Sequence, residues 1–388
     1  MRKEPYLVNI YHNILWPKYK GGIFSGLHDS SLRSDINISF FQIAETTNDR
    51  RNLGDVDFSY HRYPYKLLFN STYDSIHKFK LCNTLFDHAA YSNADLILLP
   101  GYHLAEYWFM LLGCILTGKK RAVFVDSTKN DQPESIIKYF LKRLFFSFCD
   151  GFFAYGQRSE EYLMTFGVSE HRITTRCQAA ALPHHYQPEV ALSSRITQRK
   201  ANMPAHYLFV GLLTERKGIT TLVRAFHQVY QQDRSAMLTI IGDGDLHNEL
   251  KELVTSLQLS EAVHFAGVLH IDSVENYYLQ ASCLILPSRS EAWGLVVNEA
   301  LSYGCPAVVS DHCGCAPDLI VEGKTGYIFK TNDVADLCEK MLLVKTDLND
   351  VAEVANDCIT LMQEFTPEKA AAQILKGCHM ILTEGGGQ

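Results

Sequence analysis

"CLILPSRSEAWGLVVNEALSYGCPAVVS", residues 283–310, decides the fold. It opens on four apolar residues, crosses a polar loop, takes up helical spacing from Leu295, stops at "GCP" and closes on a second apolar run. A short strand that is apolar on both faces, a helix and another such strand make one repeat of a parallel sheet covered on both sides. The rhythm continues on the N-terminal side through "HYLFVG" (206–211), "MLTIIG" (237–242) and "AVHFAG" (262–267). Between the first two, Ile219, Leu222, Val223, Phe226, Val229 and Tyr230 fall on one stripe, which predicts an amphipathic helix laid on the sheet. The second half of the chain is therefore expected to be a doubly wound α/β domain.

The first half carries the same alternation less cleanly. "YLVNIY" (6–11), "INISFFQIA" (36–44), "ADLILLPG" (94–101), "RAVFVDS" (121–127), "GFFAYG" (151–156) and "ITTRCQAA" (173–180) read as strands, and 105–117 reads as a helix. Residues 45–90, rich in Tyr, His, Asn and Asp, are expected to form loops, and the polar, proline-bracketed stretch 182–206 reads as the linker or its neighbourhood. Two domains follow, 1–190 and 204–365, and the helical stretch 366–388, which resembles a closing helix that crosses back, is expected to join the first. A chain of 388 residues, 47% hydrophobic, is long enough to give each its own core.

Charge and cysteine usage narrow the function. The net charge of −7, with both signs interspersed, offers no broad positive field for a polyanion, so nucleic acid is not an expected partner. Eleven cysteines with no C-x-x-C pair read as reduced thiols in a cytoplasmic protein. Cys305, Cys313 and Cys315, with His312 as a fourth ligand, could be arranged as a zinc site, but buried cysteines mostly act as small hydrophobes, and no metal is expected. No apolar run reaches the ~18 residues of a membrane span. One stretch, "IIKYFLKRLFFSFCD" (136–150), interleaves Lys138, Lys142 and Arg143 with large apolar residues. It reads either as a core helix with a solvated face or, over 136–149, as a contact with the inner face of a membrane.

Chemistry is sought at the carboxyl ends of the strands, where open α/β sheets bind ligands. Glu291 lies on the loop after "CLIL" and Glu299 on the helix that follows, flanking the free N–H groups near Gly294 and Leu295. A helix start favours a phosphate, whereas carboxylates accept hydrogen bonds from hydroxyls. A ligand with hydroxyls on both sides of a diphosphate is a nucleotide sugar. Glu299 would hold its ribose, Glu291 the donor sugar, and the helix start after Trp293 the diphosphate. Arg216 and Lys217 stand just past "YLFVG", where cations could neutralise a leaving diphosphate. The alternative for all four is ordinary solvated charge.

Taken together, "FVGLLTERKGITTLVRAF", "LTIIGDGDLHNELKEL", "VHFAGVL" and "LPSRSEAWGLVVNEALSYGCPAVVSDHCGCAPDLIVEGKTGYIF", in this order from about 207 to 330, resemble the donor-binding domain of glycosyltransferase family 4. The resemblance implies the GT-B fold, two facing Rossmann-like domains with a cleft between them. It also implies a retaining, metal-independent sugar transfer from a nucleotide-sugar donor, with no cofactor. UDP-sugars head the expected donors, and GDP- or ADP-sugars also fit. The acceptor would be a glycan, a lipid-linked glycan or a small molecule. In its terms Lys217 contacts the donor phosphates, Glu291 the donor sugar and Glu299 the ribose. The family's arginine after the "VG" glycine is missing, since Leu212 follows Gly211, and Arg216 is the candidate replacement. In the first half Gly21 and Gly22 would form the family's glycine-rich loop, and His103, past "LILLPG", would sit near the reacting sugar, with Asp126 at a similar strand end. The expected catalytic residues are Glu291, Lys217 and His103. A non-catalytic scaffold of the same fold and a sugar-nucleotide epimerase are the alternatives. A dinucleotide oxidoreductase fails because "IIGDGD" has His247 where the fingerprint needs a third glycine.

Overall fold

The computed structural model describes residues 4–130 and 135–383, which divide into two compact units. The first takes the described residues up to Ser127 together with 135–181 and 366–383. The second takes 182–365 and a short piece that starts at Thr128.

The first unit is built on seven parallel strands: β1 (Tyr6–Ile14), β2 (Ile36–Ala44), β3 (Tyr65–Leu67), β4 (Leu96–Leu99), β5 (Lys120–Val125), β6 (Gly151–Ala154) and β7 (Ile173–Thr174), in the order β3-β2-β1-β4-β5-β6-β7. The second has six: β8 (His206–Val210), β9 (Met237–Ile241), β10 (Val263–Gly267), β11 (Cys283–Leu286), β12 (Ala307–Ser310) and β13 (Gly326–Phe329), in the order β10-β9-β8-β11-β12-β13. Every residue of β4, β6, β11 and β12 is buried, as strands covered by helices on both faces require. The opening stretch behaves as read: Leu284, Ile285 and Leu286 pair with Ala307, Val308 and Val309 across the intervening helix Leu295–Ser302. In each sheet the strand order reverses once, between β1 and β4 and between β8 and β11, and these reversals open the crevices where ligands settle.

Three stretches differ from the sequence reading. Within 45–90 the chain forms β3 and a helix, Lys78–Ala90, whose Leu81, Leu85 and Ala89 are buried. Phe79, large and apolar but exposed, lies off that buried face and blurs the stripe. "ITTRCQAA" pairs only over Ile173–Thr174. Residues 182–206 hold a helix, Pro188–Gln198, that packs on the helices Ile271–Gln280 and Val351–Met362 of the second unit. Its buried Arg195 donates to the carbonyls of Tyr278, Leu279 and Ala281, so this stretch is part of that unit's framework.

The closing helix, Pro367–Thr383, returns to the first unit and packs on the helix Lys18–Ser31, β6 and β7; the last residues of the expected range, 384–388, lie outside the described residues. Ala370, Ala371, Ile374 and Cys378 enter that unit's core beside Val8, Phe24 and Phe153. The approach is close: a Cβ on Gly377 would stand 2.5 Å from the Phe153 ring and the Thr174 hydroxyl.

Candidate active site

In the second unit the carboxyl ends of β8 and β11 bring four of the expected residues together. After β8 comes Gly211, then a loop that ends in the short turn Glu215–Lys217, closed by Gly218 in the left-handed region at φ +64°. A Cβ at Gly218 would fall 2.0 Å from the Pro287 carbonyl oxygen, so only glycine lets the two loops lie this close. The Arg289 N–H donates to the Arg216 carbonyl at 2.8 Å and fixes their register.

This closeness delivers Lys217 to Glu291. The ammonium donates to Glu291 Oε2, which also accepts from the Ser288 hydroxyl at 3.3 Å, and both charged side chains are only 13% exposed. Arg216, half exposed, stands 3.9 Å from Glu291 Oε1 and donates to the Ser290 carbonyl at 3.0 Å. The backbone of Glu291 is held in turn by Gly314, whose N–H donates to its carbonyl at 2.8 Å. Two cations around one partly buried carboxylate leave a concentrated positive charge once a ligand replaces that carboxylate.

Beside the pair begins the helix Leu295–Ser302, entered through Gly294 at φ +101° with no side-chain cap; the Val297 N–H donates to the Gly294 carbonyl at 2.9 Å, and the helix presents the N–H groups of Leu295 and Val296 to an acceptor. Leu295 is half-buried and open to solvent in part. Glu299 lies one turn on, and its Oε2 accepts from the Tyr278 hydroxyl at 2.8 Å. Burial raises the Glu299 carboxyl to about 7, with the Tyr278 hydrogen bond acting in the opposite sense. Trp293 departs from its expected place in donor binding. It is buried, its indole N–H donates to Asn298 Oδ1 at 2.7 Å, and its ring faces Phe365, so only its backbone can serve a ligand.

Among the described residues no group of three His, Cys, Asp or Glu side chains could hold a metal ion. Cys305, Cys313 and Cys315 are all buried with raised thiols, Cys313 to about 12, and a His312 ring nitrogen meets the Arg289 carbonyl at 2.8 Å.

The first unit has its own cavity of about 550 Å³ at the β1/β4 reversal. His103 and Asp126 line it, as expected of strand-end residues, together with His12, Asn13, Arg50 and Lys78, which the sequence reading missed. Burial keeps His103 below the usual histidine range, and drops His12 to about 3, so His12 stays neutral with a ring nitrogen on the Ile14 carbonyl at 2.8 Å. Asn13 is fixed by the Tyr107 hydroxyl at 2.5 Å, and Tyr107 meets Tyr73, which donates to Glu106, the partner of Lys78. Buried Lys20 stands 4.8 Å from each of the Phe124 and Tyr155 rings, two walls of this cavity, and burial lowers it to about 8. The signal for His12, Asn13 and Lys20 was present in "HNILWPKYK" (12–20), the run that leaves β1.

Gly21 and Gly22 do not form a loop. Both lie inside the helix Lys18–Ser31. A Cβ on Gly21 would come 2.9 Å from the His61 ring, and one on Gly22 would touch Pro367 at 3.5 Å, so this pair serves close packing of His61 and of the closing helix.

Comparison with known proteins fits this geometry. Residues 193–359, all within the second unit, match the family of glycosyl transferases group 1. The sulfoquinovosyl transferase SQD2 of Arabidopsis thaliana is 36% identical over 129 residues, 32% of this chain and 24% of that protein. A Campylobacter jejuni α-1,4-N-acetyl-D-galactosaminyltransferase, named for its diNAcBac-PP-undecaprenol-linked substrate, is 27% identical over 58% of this chain and 59% of its own length. The chain thus covers less than two thirds of either relative. Among solved structures, Anabaena Alr3699/HepE in complex with UDP superimposes with a TM-score of 0.72 over 96% of this chain and 99% of its own, at 15% identity. The fold is accordingly the GT-B type anticipated from the sequence, two Rossmann-like units on parallel sheets.

Proposed function

We propose that this chain, with its glycosyl transferases group 1 match over residues 193–359, is a glycosyltransferase that moves a sugar from a nucleoside diphosphate to an acceptor hydroxyl. The observation that carries the reading is the Lys217–Glu291 pair, held at the β8/β11 reversal beside the open start of the helix Leu295–Ser302. The diphosphate occupies the helix start and draws the Lys217 ammonium and the Arg216 guanidinium toward its oxygens. Glu291, released from Lys217, accepts from hydroxyls of the donor sugar, and Glu299 from the ribose.

As the bond from the sugar's anomeric carbon to the β-phosphate oxygen breaks, the electron pair goes to that oxygen. Lys217, Arg216 and the helix N–H groups are already in place to stabilise the charge, which is where preorganised donors are worth most. The acceptor oxygen attacks from the face the phosphate leaves, its proton passes to the phosphate, and configuration is retained. The reading assigns no metal ion to the step because these groups supply the positive charge. His103 and Asp126 belong to acceptor recognition in the first unit's cavity. UDP-sugars are the first donors to try, since Alr3699/HepE was crystallised with UDP, with UDP and glucose, and with UDP-glucose. A lipid-linked acceptor is the first acceptor class to try, since the Campylobacter relative is named for an undecaprenol-linked substrate.

The test is a panel of UDP-, GDP- and ADP-sugars read by thermal shift and by donor hydrolysis without acceptor. One sugar nucleotide should raise the melting temperature and be hydrolysed slowly. Lys217→Ala should cut turnover about 10²–10³-fold, the usual effect of losing one preorganised donor. Arg216→Ala should cut it less, and no change on Arg216→Ala would end its role as the replacement for the missing arginine. Binding without any turnover would leave a scaffold, and an isomerised sugar an epimerase.

A further inference from the structure

The helix Ile136–Ser147 turns its apolar side outward. Ile136, Ile137, Phe140, Leu141, Leu144 and, just beyond its end, Phe148 are each between 38 and 76% exposed. At about 100° per residue these six cover one continuous sector of roughly 140°. Phe145 and Phe146 lie on the opposite side and carry the packing, edge-on to Trp108 and Tyr102 respectively. The core-helix reading of this segment is thus satisfied by two residues, and the larger apolar sector is left exposed among the described residues. The helix Ala105–Leu116, which meets it through the Trp108–Phe145 contact, also carries exposed Phe109, Leu112 and Leu116. Scattered exposed hydrophobics are ordinary, whereas nine large ones on two adjacent helices are not.

Charge tells what covers the patch. Ile136–Ser147 contains Lys138, Lys142 and Arg143 and no acidic residue, in a chain whose net charge is −7. Arg143 borders one edge of the apolar sector and Lys138 lies further round, past Phe145, both exposed, while Lys142 reaches inward to the Tyr162 hydroxyl at 2.6 Å. Exposed cations beside an apolar sector, on a helix without a single acidic residue, fit a layer whose headgroups are anionic and whose interior is hydrocarbon. A second copy of the chain fits poorly, because a self-complementary contact would set the same cations against one another. No helix among the described residues is long and apolar enough to cross a membrane, so the contact is one of lying on the surface.

We propose that the outward faces of Ile136–Ser147 and Ala105–Leu116 seat the first unit on an anionic lipid surface, with Phe140, Leu141 and Leu144 among the acyl chains and Lys138 and Arg143 at the headgroups. The proposal does not rest on the transferase reading. The inner side of the same helix packs on Tyr102, which lines the first unit's cavity, so the seat lies one side chain behind that cavity.

The full chain is sedimented with vesicles of phosphatidylcholine alone and of phosphatidylcholine with phosphatidylglycerol. It should pellet with the second and not the first, and raised salt should release it. Phe140→Ser with Leu141→Ser should weaken binding roughly a hundredfold, at about tenfold per lost side chain. Lys138→Glu with Arg143→Glu should abolish the preference for phosphatidylglycerol. Far-UV circular dichroism and melting temperature should stay unchanged in both, since neither touches the packed side. The proposal is overturned if the wild-type chain stays in the supernatant with both vesicles, if the serine variant binds as well as wild type, or if ultracentrifugation shows a dimer that the serine variant loses.

Discussion

At the scale of single residues, Glu299 ties the site to pH. Its carboxyl stands raised to about 7 in the folded chain, against 4.5 for an unburied glutamate, because burial disfavours the charged form. An acid raised by folding is bound more strongly to its proton in the native state, so its contribution to stability is fully present below about pH 4.5 and is lost as pH rises through 7. Ribose hydroxyls, by contrast, donate to the carboxylate and favour the deprotonated form. Donor affinity should therefore fall as pH drops below 7 while thermal stability rises, and Glu299→Gln should flatten both slopes. Calorimetric titration and melting curves across pH 5.5–8.5 check this; parallel pH profiles for the variant and the wild type would remove Glu299 from the donor site. The grouping of Glu291 with Arg216 and Lys217 was legible because each lies on the loop that follows a strand's carboxyl end, and helical spacing put Glu299 on the helix after that loop. The inward turn of Trp293 was not legible, since it depends on Asn298 and Phe365, which meet it only in the folded unit.

Among elements, the two glycine positions separate packing from loop geometry. Gly22 has helical backbone and a proline ring at 3.5 Å, ordinary contact for a methyl group. Gly22→Ala should be neutral or slightly stabilising in melting temperature, with activity kept, since alanine is favoured over glycine inside a helix by roughly 0.5–1 kcal/mol. Gly218→Ala should instead cost about 1–3 kcal/mol of strain and lower turnover sharply, because the loops carrying Lys217 and Glu291 must part. Loss of activity in Gly22→Ala at unchanged stability would return that residue to ligand binding. The parallel sheet of the second unit could be read from sequence because its buried strands are uninterrupted apolar runs. The helix Lys78–Ala90 could not, since exposed Phe79 lies off its buried face and blurs the stripe, and β3, three residues long, gives no period to detect. The paired glycines at 21 and 22 misled for a physical reason: glycine marks both tight loops and tight helix contacts, and only the neighbour across the gap, His61 or Pro367, tells them apart.

For the whole molecule, the two units depend differently on the end of the chain. The second unit, 182–365, holds its sheet and helices within one continuous stretch apart from the short piece at Thr128. The first borrows Pro367–Thr383, which places Ala370, Ala371, Ile374 and Cys378 in its core and takes the Lys120 ammonium onto the carbonyls of Ile381 and Leu382. A chain ended after Phe365 should show one melting transition from the second unit and an unstable or aggregated first unit, whose apolar surface is left uncovered. Calorimetry and limited proteolysis read this out, and two unchanged transitions would mean that the helix only decorates the surface.

The same return of the chain sets an order of events during synthesis. Residues 4–181 leave the ribosome with a core that lacks one wall, and that wall arrives only after the whole of 182–365 has been made. The later unit can thus be finished before the earlier one, and a nascent first unit waits with exposed apolar surface, the condition in which chaperones bind.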